Sequence, residues 1–325
     1  MSADAISSFE GQRTHLLSIA YRMLGEMSAA EDVVQEAWLR WQRTEHETVR
    51  DVRAWLSAAT VRLALDALRK VRTRRETYVG PWLPEPILPD DMRAFAADAP
   101  AAHAELASDL SLALLHVLER LSPEERAAFI LHDAFDCGYA EIAATLDKTE
   151  AACRKLVSRA RERVKQDRPR YSVPGEQHRT LVARFLEAAA QQDSNSLGAL
   201  LAPDVIFYSD GGGRVPAAIN PVSGHDKVLR LMLGLIRKML ERANPDVQII
   251  DINGRPGVVV AWDAEVYSAF AFEAEDERIT GIYAVRNPEK LTRIERVLSV
   301  SPLPSPSAGR SPPPAGSKPR RSTHH

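Results

Sequence analysis

Between Lys148 and Arg170 the chain carries nine Lys/Arg against three acids. Cations at that density make charge-assisted hydrogen bonds to phosphate oxygens, and a guanidinium can fork onto a guanine edge. Within the run, Cys153, Val157 and Ala160 recur at the spacing of one inward helix face. Glu150, Arg154, Lys155 and Ser158 then project outward near the helix N-terminus, where they suit base edges. Arg159, Arg161 and Arg163 suit the nucleic-acid backbone. A second block, Arg62 to Arg75, holds Arg62, Arg69, Lys70, Arg72, Arg74 and Arg75 against a single acid. The stretch between the blocks, Glu85 to Asp109, has six acids and one Arg. A formal net charge of -2 over 325 residues therefore conceals two basic modules joined by an acidic connector. That distribution points to two nucleic-acid contacts.

The elements that position these cations are helical. Ser122-Pro123-Glu124-Glu125 starts a helix, with Ser as N-cap, Pro at the first turn and Glu three residues on. Tyr139 to Leu146 reads as a short helix with Ile142, Ala143 and Leu146 inward. After a turn at Asp147, Thr149 caps a longer helix to about Lys165. A short helix, a tight turn and a basic helix form a helix-turn-helix. Leu106 to Arg120 is helical ahead of it. Upstream, Ile6 to Met23 has a helical period, and Ser28-Ala29-Ala30-Glu31 reads as a capping box. The helix it opens runs to about Arg43, with Val34, Ala37, Trp38 and Trp41 on its apolar stripe and Asp32, Gln35 and Glu36 on another face. Arg53 to Arg75 forms one more long helix.

Tyr78 to Pro89 has four prolines and a glycine in twelve residues and cannot be regular helix. Trp82, Leu83 and Ile87 are apolar groups that a solvated tether would avoid, so this linker is expected to dock. Beyond a breaker at Tyr171 to Gly175 the pattern changes. Helical segments at His178–Gln192 and Ser196–Leu201 precede a strand at Val205–Ser209, a glycine turn and the stretch Arg214–Ile219. A helix at Gly224–Glu241 and strand-like runs at 247–252, 257–262, 266–272 and 279–285 follow, and 291–300 is expected as the last strand. This is an α+β domain with a curved antiparallel sheet. Ser301 to His325, with seven prolines, is expected to be disordered. The two cysteines, Cys137 and Cys153, have no ligand spacing and read as free thiols. With no secretion signal and no apolar run of about 20 residues, a cytoplasmic location and no membrane contact are expected.

Taken together, AEDVVQEAWLRWQ (30–42), RAWLSAATVRLALDALRK (53–70), LSPEERAAF, YAEIAATL and TEAACRKLVSRARE resemble a bacterial RNA polymerase sigma factor of the extracytoplasmic-function (ECF) type. WLPEP in the linker, DGGGR at 210–214 and NPVSGHDKV at 220–228 are similar to the subgroup with a C-terminal SnoaL-like extension, such as mycobacterial SigJ-type factors. The resemblance implies two all-α sigma domains followed by an α+β NTF2-like/SnoaL-like cone. Their boundaries would be 1–76 for domain 2, 77–105 for the linker, 106–170 for the helix-turn-helix domain 4, 175–300 for the cone and 301–325 for the tail. Three positions depart from the usual family pattern: Arg62 stands where many members have Asn, Asp147 where Gly is common, and Cys153 in place of Val.

The implied chemistry is recognition, with no covalent step and no cofactor or metal. Asp32, Gln35 and Glu36 would meet the beta-prime clamp of core RNA polymerase, and domain 4 its beta flap. The first basic block and the loop around Thr44 to Val52 would hold the -10 element of promoter DNA, and the helix-turn-helix the -35 element. Trp82, Leu83 and Pro84, with Asp210, Gly211, Gly212, Gly213 and Arg214, would join the cone to the sigma domains as a regulator in cis, so that no dedicated anti-sigma factor is required. A small-molecule ligand in the cone is a further expectation, with Tyr208, His225 and Trp262 as pocket candidates. For any acid/base role in the cone, the candidates are Tyr208, Asp210, His225, Trp262 and Asp263. The alternatives are a helix-turn-helix regulator acting without polymerase, separable by the 30–42 motif, and a ligand-sensing or enzymatic cone fused to a DNA-binding module.

Overall fold

The computed structural model describes residues 3–75, 78–96, 110–167, 173–242, 245–263 and 265–300. Four helices come first: α1 (Ala3–Glu10), α2 (Arg13–Leu24), α3 (Met27–Gln42) and α4 (Val52–Arg75). The linker then runs to α5 (Pro89–Ala96). A second helical group contains α6 (Leu112–Leu118), α7 (Pro123–Phe129) with a π-helical turn at Ile130–Ala134, α8 (Tyr139–Leu146) and α9 (Glu150–Asp167). The two groups share one apolar cluster, in which Leu16, Ile19, Trp41 and Leu56 are continuous with Leu115, Phe129, Ile142 and Val157.

The C-terminal part comprises α10 (Gly175–Ala190), α11 (Ser194–Leu200), β1 (Leu201–Asp210), β2 (Val222–Ser223), α12 (His225–Leu240), β3 (Asp246–Ile252), β4 (Arg255–Trp262), β5 (Glu265–Glu275), β6 (Arg278–Val285) and α13 (Pro288–Val300). Its sheet has the order β2-β1-β6-β5-β4-β3. Alternation along each strand sorts side chains onto two faces. Val205, Phe207, Val258, Val260, Phe272, Ile282 and Ala284 meet α10, α11 and α12 on one face. Tyr208, Val259, Ala269, Ala271, Tyr283 and Val285 meet Leu83 and Leu88 of the linker, Leu112 of α6, and Leu291 and Ile294 of α13 on the other. A sheet buried on both sides explains the uninterrupted apolar run VVVAW in β4. The α+β cone is thus present, and its outer face is covered by the helical part of the chain.

Several sequence expectations change. Ile6–Met23 is two helices, because Gly11 and Gln12 form a turn between α1 and α2. The α3 helix starts at Met27, which places Ser28 inside the first turn, and no side chain of the flanking residue caps it. The run 291–300 is helix, not strand: Pro288 starts it, the Asn287 side chain accepts from the Glu289 amide, and Leu291 and Ile294 form a helical stripe. The sheet is mixed, since β1 runs parallel to β6. Gly211–Gly213 does not close a hairpin; Arg214–Ile219 lies outside regular structure, and β1 pairs instead with Val222 and Ser223.

Other readings stand. Ser122 forms a full capping box with Glu125, and Thr149 accepts from Ala152 N. Asp147 takes the left-handed conformation (φ 53°) that the helix-turn-helix turn requires. Cys153, Val157 and Ala160 are buried as the inward stripe of α9. Both cysteines are free. The linker residues 77 and 97–105, the helix segment 106–109, the breaker residues 171–172 and the tail 301–325 lie outside the described residues.

Candidate functional site

The exposed face of α3 presents Asp32, Gln35 and Glu36, with Leu39 beside them and Glu36 in an i,i+4 pair with Arg40. On α9, Glu150, Arg154, Lys155, Ser158 and Arg159 are all exposed. Arg154 pairs with Glu150 at 2.7 Å and lies over the Tyr139 ring. Arg161 and Arg163 do not extend freely. Arg161 grips Asp133 of the π turn, and Arg163 reaches Glu125 at 2.9 Å, so both staple α9 to α7 and its π-helical extension.

The first basic block is more occupied. Arg62 donates to the carbonyls of Ala144 and Thr145 at 2.8 and 3.0 Å, filling the C-terminal acceptors of α8. Arg69 lies between Asp66 and Glu124, and Lys148 also meets Glu124. Lys70 is exposed, while the side chains of Arg72, Arg74 and Arg75 lie outside the described residues. A cleft of about 700 Å³ lies between Arg50 of the loop after α3, with Arg53 and Trp55 at the start of α4, and Asp136 and Glu141. His15 borders this cleft; burial first, then Arg53 and Arg22, hold it neutral by lowering its pKa to about 3.

The linker is clamped by three sets of contacts. The first centres on Asp210, which is fully buried. Its carboxylate accepts from Tyr78 Oη (2.5 Å), Leu83 N (2.9 Å), Gly212 N (3.0 Å) and Lys290 Nζ (2.7 Å). Lys290 also donates to Leu83 O and sits 4.0 Å from the Trp82 ring centre. The glycine turn serves this hub. Gly212 has φ +62°, and a Cβ there would fall 2.5 Å from Asn287, which itself donates to Tyr78 Oη. Trp82 lies against Gly25, the left-handed C-cap of α2, where a Cβ would come within 2.6 Å of the indole. Leu83 and Pro84 are buried, whereas Arg214 is exposed and pairs with Glu289.

The second set is built on Glu85. Its carboxylate accepts from Met27 N at 2.7 Å and so caps α3 from the linker; its amide donates to Gly25 O and its carbonyl accepts from Tyr21 Oη. A carboxylate at a helix N-terminus satisfies a free N–H and complements the dipole. The third set is built on Asn253, in the β3–β4 turn. Its side chain accepts from Ile87 N and donates to Tyr21 Oη (2.9 Å) and Leu110 O (2.8 Å). Arg293 of α13 adds a fork onto Asp91 and reaches Glu31 of α3 at 3.3 Å.

Burial raises the Glu85 pKa against the opposing pull of Met27 N. A carboxyl whose folded pKa lies above its unfolded value of about 4.3 strengthens the fold below that value and loses the contribution as pH rises through the folded pKa. Glu85→Gln, which keeps the acceptor, is therefore expected to raise the thermal midpoint at pH 7.5. The gain over wild type should shrink as pH falls toward 4. An equal gain at both pH values, measured by thermal melts, would contradict the assignment.

Of the pocket candidates, Trp262 lines the cavity on the inner face of the sheet. Tyr208 points to the opposite face of β1, stacked on Tyr283 at 5.1 Å and facing His116 of α6. His225 opens α12 and bonds Gly198 O and Asp226. Asp263 is exposed in the β4–β5 turn, with φ 49°. Among the described residues there is no cluster of metal-binding groups, and no helix is long and apolar enough to cross a membrane. Sequence reasoning missed Glu85 and Asn253; the Glu in WLPEP and the Asn-Gly turn were visible, but not what they reach.

Residues 9–75 match the family Sigma-70 region 2, and residues 111–164 match Sigma-70, region 4. The ECF RNA polymerase sigma factor SigJ of Mycobacterium tuberculosis is 40% identical over 88% of this chain and 93% of its own length. This chain belongs to the ECF RNA polymerase sigma factors. A probable ECF sigma factor of the same organism, SigI, is 32% identical over 88% of the chain and 94% of its own length. The crystal structure of M. tuberculosis SigJ superposes with a TM-score of 0.71 at 38% identity, covering 88% of this chain and 98% of that one. The ECF relatives therefore extend across the cone as well as the two helical regions. In this ECF sigma factor, α1–α4 carry region 2, α6–α9 carry region 4, and the clamped linker joins them.

Proposed function

We propose that this ECF sigma factor binds core RNA polymerase, directs promoter-specific initiation and is restrained in cis by its cone domain. Asp32, Gln35 and Glu36 form the surface for the beta-prime clamp, and region 4 engages the beta flap. Glu150, Arg154, Lys155 and Ser158 face the -35 base edges and Arg159 the phosphates. Lys70, Arg72, Arg74 and Arg75, with the loop at 44–52, serve the -10 element, where melted bases are captured as single strand. Arg161 and Arg163, tied within region 4, act by orienting α9.

The observation that carries the reading is the contrast between these surfaces. The α3 and α9 faces are exposed, whereas Arg62 is bonded to the helix-turn-helix and the linker is held by Asp210 and Asn253. Polymerase and the -35 element can be approached in this arrangement. Arg62 commits Nε and Nη2 to the C-terminal carbonyls of α8, so its full use on the -10 element is expected to require regions 2 and 4 to part.

The test is promoter-dependent transcription by core polymerase with the full chain. The wild type is expected to initiate. The Asp32→Ala/Glu36→Ala variant should lose at least tenfold in core binding while keeping its melting temperature, because both side chains are exposed. Retained core binding by that variant would remove α3 as the polymerase surface, and a wild-type chain unable to bind core would overturn the reading as a whole.

A further inference from the structure

On the inner face of the sheet, between α10, α12 and the strands, lies a cavity of about 530 Å³. Its walls are largely apolar, with Phe185 against Phe272 at 5.4 Å and Phe207, Met232 and Val260 around them. One end differs. Trp262 and Tyr267 meet edge to face at 4.9 Å, and two guanidiniums lie over the same tyrosine ring, Arg286 at 4.4 Å and Arg242 at 5.5 Å. Lys238 lines the cavity as a third cation, and no Asp, Glu or His among the described residues lines it.

Like charges held near one another repel, and an anion placed between them relieves the repulsion. Burial, and secondarily the charge of Arg242, lower the Arg286 pKa. Arg286 donates to Pro216 O, but its Nε is buried without a partner, and so is Trp262 Nε1. A buried donor left unpaired is costly, and such groups are commonly completed by water, an ion or a ligand. The volume lies within the range of small-molecule sites, about 300–1,000 Å³.

We infer that the cone binds a small amphipathic carboxylate, its chain among Phe185, Phe207 and Phe272 and its carboxylate between Arg286, Arg242 and Trp262 Nε1. An apolar barrel with one cationic end and no acidic group matches a monoanion with a hydrocarbon body. It does not match a cation or a sugar, which would leave either charge or apolar wall uncompensated. The backbone amides of Arg286 and Asn287 both donate to Asp210 O, so the anion end and the linker clamp adjoin along one stretch of chain. The inference is independent of whether the chain initiates transcription.

The probe is decanoate, titrated calorimetrically into the full chain, with decan-1-ol as the uncharged chain of equal length. Decanoate is expected to bind saturably at one site and at least tenfold more tightly than decan-1-ol. Arg286→Met should weaken decanoate tenfold or more and leave decan-1-ol unchanged. Arg242→Met, at an exposed position just beyond the C-terminus of α12, provides a second variant should Arg286→Met disturb the fold, with weakening in the same direction. Equal affinity for acid and alcohol, wild-type affinity in both variants, or no saturable binding would each overturn the inference.

Discussion

Asp210→Ala is expected to undock the linker at a cost of about 3–5 kcal/mol, the usual penalty for removing one partner of a buried ion pair. The residue is fully buried and Lys290 nearly so, so the ammonium would keep its place without its carboxylate. Three other donors lose their acceptor with it: Tyr78 Oη, Leu83 N and Gly212 N. Hydrogen exchange gives the most direct reading. The Leu83 amide should exchange far faster in the variant, while amides in the middle of α9, which none of the linker contacts above involves, keep their protection. Asp210→Asn retains two acceptor lone-pair sites but not the charge, and should fall between wild type and Asp210→Ala. If the cone restrains initiation through this clamp, Asp210→Ala also raises promoter-dependent transcription at unchanged polymerase affinity. Unaltered protection at Leu83 would show that the carboxylate is not what holds the linker.

This hub also marks the limit of what local sequence could reveal. The helices of regions 2 and 4, the Ser122 capping box, the inward stripe of α9 and five of the strands are all governed by contacts within a few residues, and their spacing is readable. Trp82 and Leu83 signalled a docked linker by their size alone. Which groups would receive them was not legible, because Asp210 is 127 residues from Leu83 and Lys290 is 80 residues from Asp210. The Glu85 cap illustrates the same point. Local reading assigned the start of α3 to Ser28, yet the free N–H is satisfied by a carboxylate 58 residues away. Tyr208 was misplaced for a different reason. Strand alternation puts it opposite Phe207, but β1 is apolar on both faces, so period two does not say which face is the cavity. The last element was readable after all: Leu291 and Ile294 with Pro288 ahead of them spell a helix, and the preceding strands bias the eye toward one more.

Asn253 is expected to be the second point of failure, because a single side chain there joins the cone to region 2, to the linker and to the residue preceding region 4. It adopts φ 53° in the β3–β4 turn, where Asn is tolerated and Ala pays about 1 kcal/mol. Asn253→Ala also strands Ile87 N without its acceptor and Leu110 O without its donor, each buried, at about 1–3 kcal/mol apiece. A total of about 3–7 kcal/mol follows for the docked state. Asn253→Gly relieves the backbone but not the lost bonds, so it should recover about 1 kcal/mol of the loss and no more. That difference separates turn strain from the bridging role. If Gly restored full stability in denaturant unfolding, the side chain would be only a turn former. If both variants leave the Ile87 amide unprotected, the side chain itself is the fastener. Its loss should then loosen the cone from Tyr21 and from α6 together, since the same amide nitrogen serves Tyr21 Oη and Leu110 O. A clamp with Asp210 at one end and Asn253 at the other can open in two stages. The double variant tests this: additive losses mean independent latches, and a loss no larger than the bigger single effect means one cooperative strap.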